Sequence, residues 1–224
     1  MATQAKRKKV APHTVVQIVR ELRNRIGSQE IPPGFKLGEA QLAEEFGVSR
    51  PRIREVFGAL EQRGLIERIP NRGAVVGKVD LSQVFEIYDV REMLEALCTR
   101  LATQNARPES WQDLVDKFQG PVADYVKAGN LEAYVAELQN LRQRTIDAAN
   151  NVILRDMLDA IHDKTQVIIR RIIILPGRAE RGLAEHRAVL AAMRKGDANL
   201  AERLKRENIR SAGEYLRRFQ KFVL

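Results

Sequence analysis

The sequence predicts a mainly α-helical protein with two parts: a small N-terminal domain that contains a β-hairpin, and a C-terminal, all-α antiparallel helical bundle. Three observations support this. Two short helical patterns and two β-like runs precede Lys78, long amphipathic patterns follow it, and basic charge is concentrated in the first part. We expect residues 1–12 to form a mobile basic tail, 13–78 the first domain and 79–224 the bundle.

The basic charge is unevenly distributed. Residues 1–78 hold 15 Lys and Arg against 8 Asp and Glu, whereas the rest of the chain holds 23 against 21. A local basic excess favours a polyanionic partner such as nucleic acid, and it places that contact in the N-terminal domain. The tail residues Lys6 to Lys9 are equally consistent with phosphate contacts and with solubilising charge.

The first domain is predicted to begin with a helix from Thr14 to Ile26, because apolar residues recur there at helical spacing. Pro32-Pro33-Gly34 predicts a turn, and a short helix that ends at Gly47 follows it. Ser49 is the predicted N-cap of the next helix. Two β-like runs at 65–69 and 74–77 then predict a hairpin.

A short helix, a glycine turn and a second helix form the helix-turn-helix pattern. The second helix presents Ser49, Arg50, Arg52 and Arg54 in its first turns. In this motif the N-terminal end of the second helix enters the major groove, where Arg pairs with guanine or with a phosphate. The pattern and the hairpin together predict a winged helix-turn-helix that binds double-stranded operator DNA.

Six long helices are predicted after Lys78, at about 81–105, 109–128, 130–149, 152–175, 178–195 and 197–222. The longest apolar run, Ile172 to Leu175, is too short to cross a membrane. Cys98 is the only cysteine, which fits a reducing compartment. We therefore expect a cytoplasmic protein with no membrane partner.

Residues 13–77 resemble the winged helix of GntR-type transcription regulators. The matching stretches are Pro33-Gly34, Leu42-Ala43, Gly47-Val48-Ser49-Arg50, Arg54-Glu55, Leu60, Gly64-Leu65-Ile66 and Gly73. The resemblance implies that Ser49, Arg50, Arg52 and Arg54 face the operator and that the hairpin tip at Arg72 and Gly73 reaches the minor groove. Such proteins commonly read Ser-Arg-Thr-Pro-Val-Arg here. In this chain the proline comes one residue early, and Arg52 takes its place.

The bundle resembles the FCD-type effector domain of the FadR-like branch, over about 80–222. The matching residues are Asp89, Arg91 and Glu95, followed by Glu185-His186-Arg187. The six predicted helices are similar to the shorter, VanR-like form of that domain. The resemblance implies a homodimeric repressor that reads two half-sites and responds to a small-molecule effector.

Many domains of this type hold a divalent metal with one Asp and three His. The corresponding positions here are Leu138, Arg142, His186 and Asn208, so one ligand of the four is present. A neighbouring Arg also repels a second cation. We therefore expect no metal cofactor.

Three polar residues lie on inward stripes of separate helices: Arg142, His186 and Asn208. They can satisfy one another or bind an effector, and an inward Arg favours a carboxylate or other anion. The resemblance adds Arg91 to this candidate effector site. His162 is read as exposed, and Arg170 and Arg171 as solvent-side or interface charges.

Two other classes of protein fit the sequence less well. A helical-bundle enzyme is disfavoured, because the three histidines form no Ser-His-Asp or Cys-His arrangement and the sequence has no phosphate-binding loop. An architectural DNA-binding protein without an effector would not need a nearly neutral helical domain with inward polar groups. The sequence thus predicts a regulator and no enzyme.

Overall fold

The computed structural model describes residues 13–70, 72–78 and 80–223. The predicted basic tail at 1–12 lies outside the described residues. The chain divides into two units, with the boundary between residues 79 and 80.

The first unit combines three helices with a three-stranded antiparallel sheet. Its elements are α1 (Val15–Gly27), β1 (Lys36–Leu37), α2 (Glu39–Phe46), α3 (Arg50–Gln62), β2 (Ile66–Ile69) and β3 (Gly73–Val76). The strand order is β1-β3-β2. Strands β2 and β3 pair as an antiparallel hairpin, which confirms the hairpin predicted from the sequence. Strand β1 was missed, because two residues are too few to show the alternation of a strand.

The apolar spacing of the first unit produces its core. Ile18 and Leu22 of α1 and Ile53 and Leu60 of α3 are fully buried. Gly47 ends α2 in the left-handed conformation, with φ 64°, which a residue without a Cβ adopts at little cost. The core and this turn together hold α3 at a fixed angle to α2, as the helix-turn-helix pattern predicts.

The second unit is all-helical within the described residues. Its helices are α4 (Leu81–Asn105), α5 (Gln112–Gln119), α6 (Pro121–Lys127), α7 (Leu131–Ala149), α8 (Val152–Ile173), α9 (Arg178–Arg194) and α10 (Ala198–Val223), with a 3₁₀ turn at Pro108–Trp111. Helix α4 packs against α7, α8 and α10, and α9 packs against α5 and α10. Their core surrounds Trp111, Phe118 and Tyr134, and it includes the buried Cys98.

The prediction of a single helix at 109–128 is wrong. The segment forms the 3₁₀ turn, α5 and α6, and the chain breaks at Gly120, where φ is −99° and ψ −108°. Pro121 causes the break, because proline lacks an N–H and disfavours the helical conformation of the residue before it. The Gly-Pro pair was the available signal.

The predicted break between α7 and α8 is confirmed. Asn150 adopts φ 50°, and the side chain of Asn151 accepts a 3.0 Å hydrogen bond from the backbone N–H of Leu154 at the start of α8. Asparagine suits both positions, because it tolerates the left-handed region and caps helices. Across the described ranges, no helix is long and apolar enough to span a membrane.

Candidate nucleic-acid interface and buried cavity

Helix α3 presents an exposed basic end. Ser49, Arg50, Arg52 and Arg54 are all exposed around its first turns. Ser49 occupies the N-cap position, as predicted, but its side chain makes no capping hydrogen bond. The start of α3 therefore keeps backbone N–H groups and a hydroxyl for a phosphate, next to three Arg side chains.

The three Arg side chains at the start of α3 differ in whether another side chain holds them in place. The Nε of Arg54 donates a 2.9 Å hydrogen bond to Oε2 of Glu39, which links α3 to α2. Arg50 and Arg52 precede it by one turn or less and are exposed. Arg54 would have to exchange Glu39 for DNA, which reduces the free energy that its contact can add.

The hairpin tip has the geometry of a wing. Gly73 has a φ of 84° and pairs with Ile69, and the exposed Arg72 donates its backbone N–H to the Ile69 carbonyl at 3.0 Å. Residues with a Cβ rarely adopt this φ, so glycine is required here. The Arg72 side chain is exposed at this tip.

The helical unit contains a cavity of about 130 Å³. All four residues predicted for an effector site line it: Arg91 from α4, Arg142 from α7, His186 from α9 and Asn208 from α10. They are distant in sequence, and the bundle brings them to one space. The effector role of these residues remains a prediction.

Two residues that the sequence analysis excluded also line this cavity. His162 was predicted to be exposed, and Arg170 to be a solvent-side or interface charge outside the site, but both line the cavity. Burial, followed by the charge of Arg142, lowers the pKa of His162 to about 3, so the ring is neutral at pH 7. His162 and Arg170 lie on the same face of α8 as Gln166 and Ile173. The helical spacing of these residues was the available signal, but the charged residues between them obscured it.

A chain of ion pairs and hydrogen bonds forms one wall of the cavity. The Glu95 carboxylate accepts hydrogen bonds from Arg91 at 2.8 Å and pairs with Lys205 at 2.9 Å. Asn208 accepts from Lys205 at 3.3 Å and donates to Glu185 at 2.8 Å. The amide of Asn208 is thus engaged on both sides by neighbouring side chains.

The lining is strongly cationic. Five helices each contribute one cation: Arg91, Arg142, Arg170, Arg178 and Lys205. Glu95 is the one carboxylate among the described lining residues, although Asp159 pairs with Arg142 at 2.8 Å and Glu185 with Arg178 at 2.9 Å. Nη1 of Arg91 and Nε of Arg170 are buried without a hydrogen-bond partner.

His186 adds a neutral hydrogen-bonding group. Its Nδ1 lies 2.6 Å from the Gly182 carbonyl, and because a carbonyl only accepts, Nδ1 carries the proton. Burial and the charge of Lys205 lower the pKa of His186 to about 4. At pH 7 its Nε2 is therefore an acceptor inside a cationic cavity.

The residues at the family's metal positions do not fit a divalent metal. Leu138 has no donor atom, Arg142 is a cation paired with Asp159, and Asn208 is engaged by Lys205 and Glu185. Within residues 13–70, 72–78 and 80–223, no group of three His, Cys, Asp or Glu side chains could hold a metal ion. His186 alone is an insufficient ligand set.

A winged helix-turn-helix with an exposed basic recognition helix, followed by a helical domain, defines a DNA-binding transcription regulator. The family model described as bacterial regulatory proteins, gntR family, matches residues 14–76, and the model described as FCD domain matches residues 86–211. The chain belongs to the GntR family of bacterial transcription regulators and carries an FCD domain. Its family and relatives are regulators, in agreement with the predicted absence of enzymatic activity.

Relatives match over most of their length. An HTH-type transcriptional regulator of Bacillus subtilis, YdhC, is 28% identical over 190 residues, 84% of each chain. The HTH-type transcriptional repressor RspR of Escherichia coli is 25% identical over 91% of this chain and 89% of its own. The solved structure of E. coli McbR/YncC has the same fold, with a TM-score of 0.77 and 21% identity over 94% of this chain and 99% of that one.

Proposed function

We propose that this regulator is a cytoplasmic repressor whose affinity for operator DNA is controlled by an organic anion bound in the cavity of its helical domain. The observation that carries the proposal is the cavity lining of five cations around one carboxylate, with a buried Arg91 Nη1 that has no hydrogen-bond partner. The proposed contacts of the anion are Arg91, Arg142 and the added Arg170, and the acceptor Nε2 of His186 is proposed to bind a donor group of the effector. Ser49, Arg50, Arg52, Arg54, Arg72 and Gly73 are proposed to contact the operator.

The choice of an anion follows from the cost of buried donors. A buried guanidinium N–H without an acceptor loses its hydration and gains nothing in return. A carboxylate supplies two oxygens that accept from a guanidinium in bidentate geometry. A carboxylate bound in the cationic cavity would therefore be favoured over a neutral ligand.

Repression by a homodimer is proposed from three further observations. The relative RspR is named a repressor. A single recognition helix binds weakly, and dimers of this class read half-sites about 34–36 Å apart. The helical unit also exposes large apolar side chains, Val90 and Met93 on α4 and Ile153 and Met157 on α8, which would suit contact with a second copy.

Titration calorimetry with organic acids tests the effector. Arg170→Gln removes a cavity cation without leaving an ion-pair partner unpaired, and we expect it to weaken acid binding about 10-fold or more, the value of a charge-assisted hydrogen bond. Lys164→Gln, an exposed cation on the same helix, is the matched control and should leave affinity unchanged. Binding of neutral amides with no response to acids would refute the proposed anion.

Metal addition tests the proposal that the effector binds without a metal. We expect zinc to show no stoichiometric binding, and acid binding to be equal in the presence and absence of EDTA. Calorimetry with zinc alone provides the measurement. Tight binding of one zinc per chain that disappears in His186→Ala would contradict it.

A further inference from the structure

A second cavity of about 60 Å³ adjoins the first in the helical unit. The two share five lining residues: Glu95, Leu138, Arg142, His186 and Lys205. The second cavity, here called the apolar compartment, is otherwise lined by Cys98, Thr99, Leu141, Thr145, Ile146, Leu158, Val189 and Met193. The charged residues therefore lie at the junction between a cationic space and an apolar one.

The wall of the apolar compartment offers little to a polar group. Its two hydroxyls are engaged, since Thr99 donates to the Glu95 carbonyl at 2.9 Å and Thr145 to the Leu141 carbonyl at 2.8 Å. Burial raises the pKa of the Cys98 thiol to about 11, so the thiol is neutral. The remaining side chains are aliphatic or a thioether. A water molecule needs two to four polar partners, which the eight residues away from the junction do not supply.

An apolar group is the natural occupant of such a space. Protein interiors are closely packed, and few of their voids exceed the size of a water molecule. Transfer of a hydrocarbon group from water to an aliphatic wall is favourable, and binding pockets commonly join such a wall to a few placed polar groups. Here Arg142, Lys205 and His186 are those groups.

Resting on the proposed function, we propose that the effector is an organic acid with a short aliphatic chain or a ring. Its carboxylate meets the junction cations Arg142 and Lys205, and its apolar part enters the apolar compartment. The position of the cations sets the register, because a carboxylate that entered the apolar compartment would lose its cationic partners and be buried without compensation. The compartment thereby selects amphipathic acids over small polar ones.

Calorimetry on the full chain with four acids tests this selection: acetate and succinate as polar probes, hexanoate and benzoate as amphipathic probes. We expect hexanoate or benzoate to bind about tenfold or more tightly than acetate, because each methylene placed in the compartment favours binding. Val189→Thr keeps the shape of a compartment residue and adds a hydroxyl, and it should reduce this preference without changing acetate affinity.

A matched control variant and a second substitution distinguish a specific effect on the compartment from misfolding. Val122→Thr makes the same change at a buried site on α6, outside both cavities, and should leave the preference intact. Val189→Phe, which fills the compartment, should abolish the preference in a protein whose thermal unfolding remains cooperative. Equal affinity for all four acids, unaffected by Val189→Thr, would overturn the apolar compartment and leave the anion site standing. No binding of any acid would overturn the proposed effector and this inference with it.

Discussion

Replacing Glu95 by Gln is expected to lower the free energy of unfolding of the helical domain by about 2–4 kcal/mol. Removal of one partner from a buried ion pair costs about 3–5 kcal/mol, and the value here is reduced because 17% of the Glu95 side chain is exposed. Arg91 and Lys205 both pair with this carboxylate. The variant would leave two cations in a lining that is already cationic.

The same carboxylate is expected to make stability depend on pH. Burial alone would raise the pKa of Glu95, but the charges of Arg91 and Lys205 and their hydrogen bonds outweigh it and hold the pKa well below its ordinary value of 4.5. The stabilisation is therefore complete above about pH 4.5 and is lost as the pH falls toward the folded-state pKa. Between pH 5 and pH 3 the free energy of unfolding should fall less steeply in Glu95→Gln than in the unaltered protein.

Urea unfolding followed by tryptophan fluorescence measures both effects. Trp111 is the single tryptophan and is buried in the helical unit, so its emission reports on that unit. Glu92→Gln on the same helix is the control, because its partner Arg210 is 60% exposed and such pairs contribute about 0–1 kcal/mol. If the two variants lost equal stability, the Glu95 pairs would not have the role assigned to them.

The sequence predicted the secondary structure where local signals were strong. The apolar spacing of α1 and α3 and the turn at Gly47 have local causes, so sequence reasoning found them. The elements that were not predicted depend on non-local contacts or are too short to show a pattern. Strand β1 exists because Lys36 and Leu37 pair with Val75 and Ala74, which lie 39 and 37 residues further along the chain. Such pairing leaves no local pattern.

The candidate effector site was predicted in part. Arg142, His186 and Asn208 were found because polar residues interrupt apolar stripes, and Arg91 through the family resemblance. Arg178 and Lys205 were missed because charged side chains are ordinarily exposed. Their burial depends on Glu185 and Glu95, which come from other helices or other turns. These ion pairs, which compensate the burial of the two cations, are visible only in the folded bundle.

Replacing Arg50 by Ala is expected to weaken operator binding about 5- to 150-fold, since a bidentate Arg–guanine pair contributes about 1–3 kcal/mol of discrimination. Arg50 is exposed on the first turn of α3, where recognition helices meet base edges. Anisotropy with a duplex selected from a random pool by the unaltered protein provides the measurement. Arg203→Ala, an exposed Arg on α10, is the matched control.

Arg52 stands where the resemblance to GntR-type regulators places a proline, and the same assay tests what Arg52 contacts. If Arg52 reads a base, Arg52→Ala will lose affinity for the selected duplex and little for a random one. If it holds a phosphate, affinity will fall equally for both, and the salt dependence will become shallower by about one ion. We expect the first outcome, because Arg54 is restrained by Glu39 and Arg52 is exposed beside Arg50. Unchanged affinity for both duplexes in Arg52→Ala would remove Arg52 from the interface.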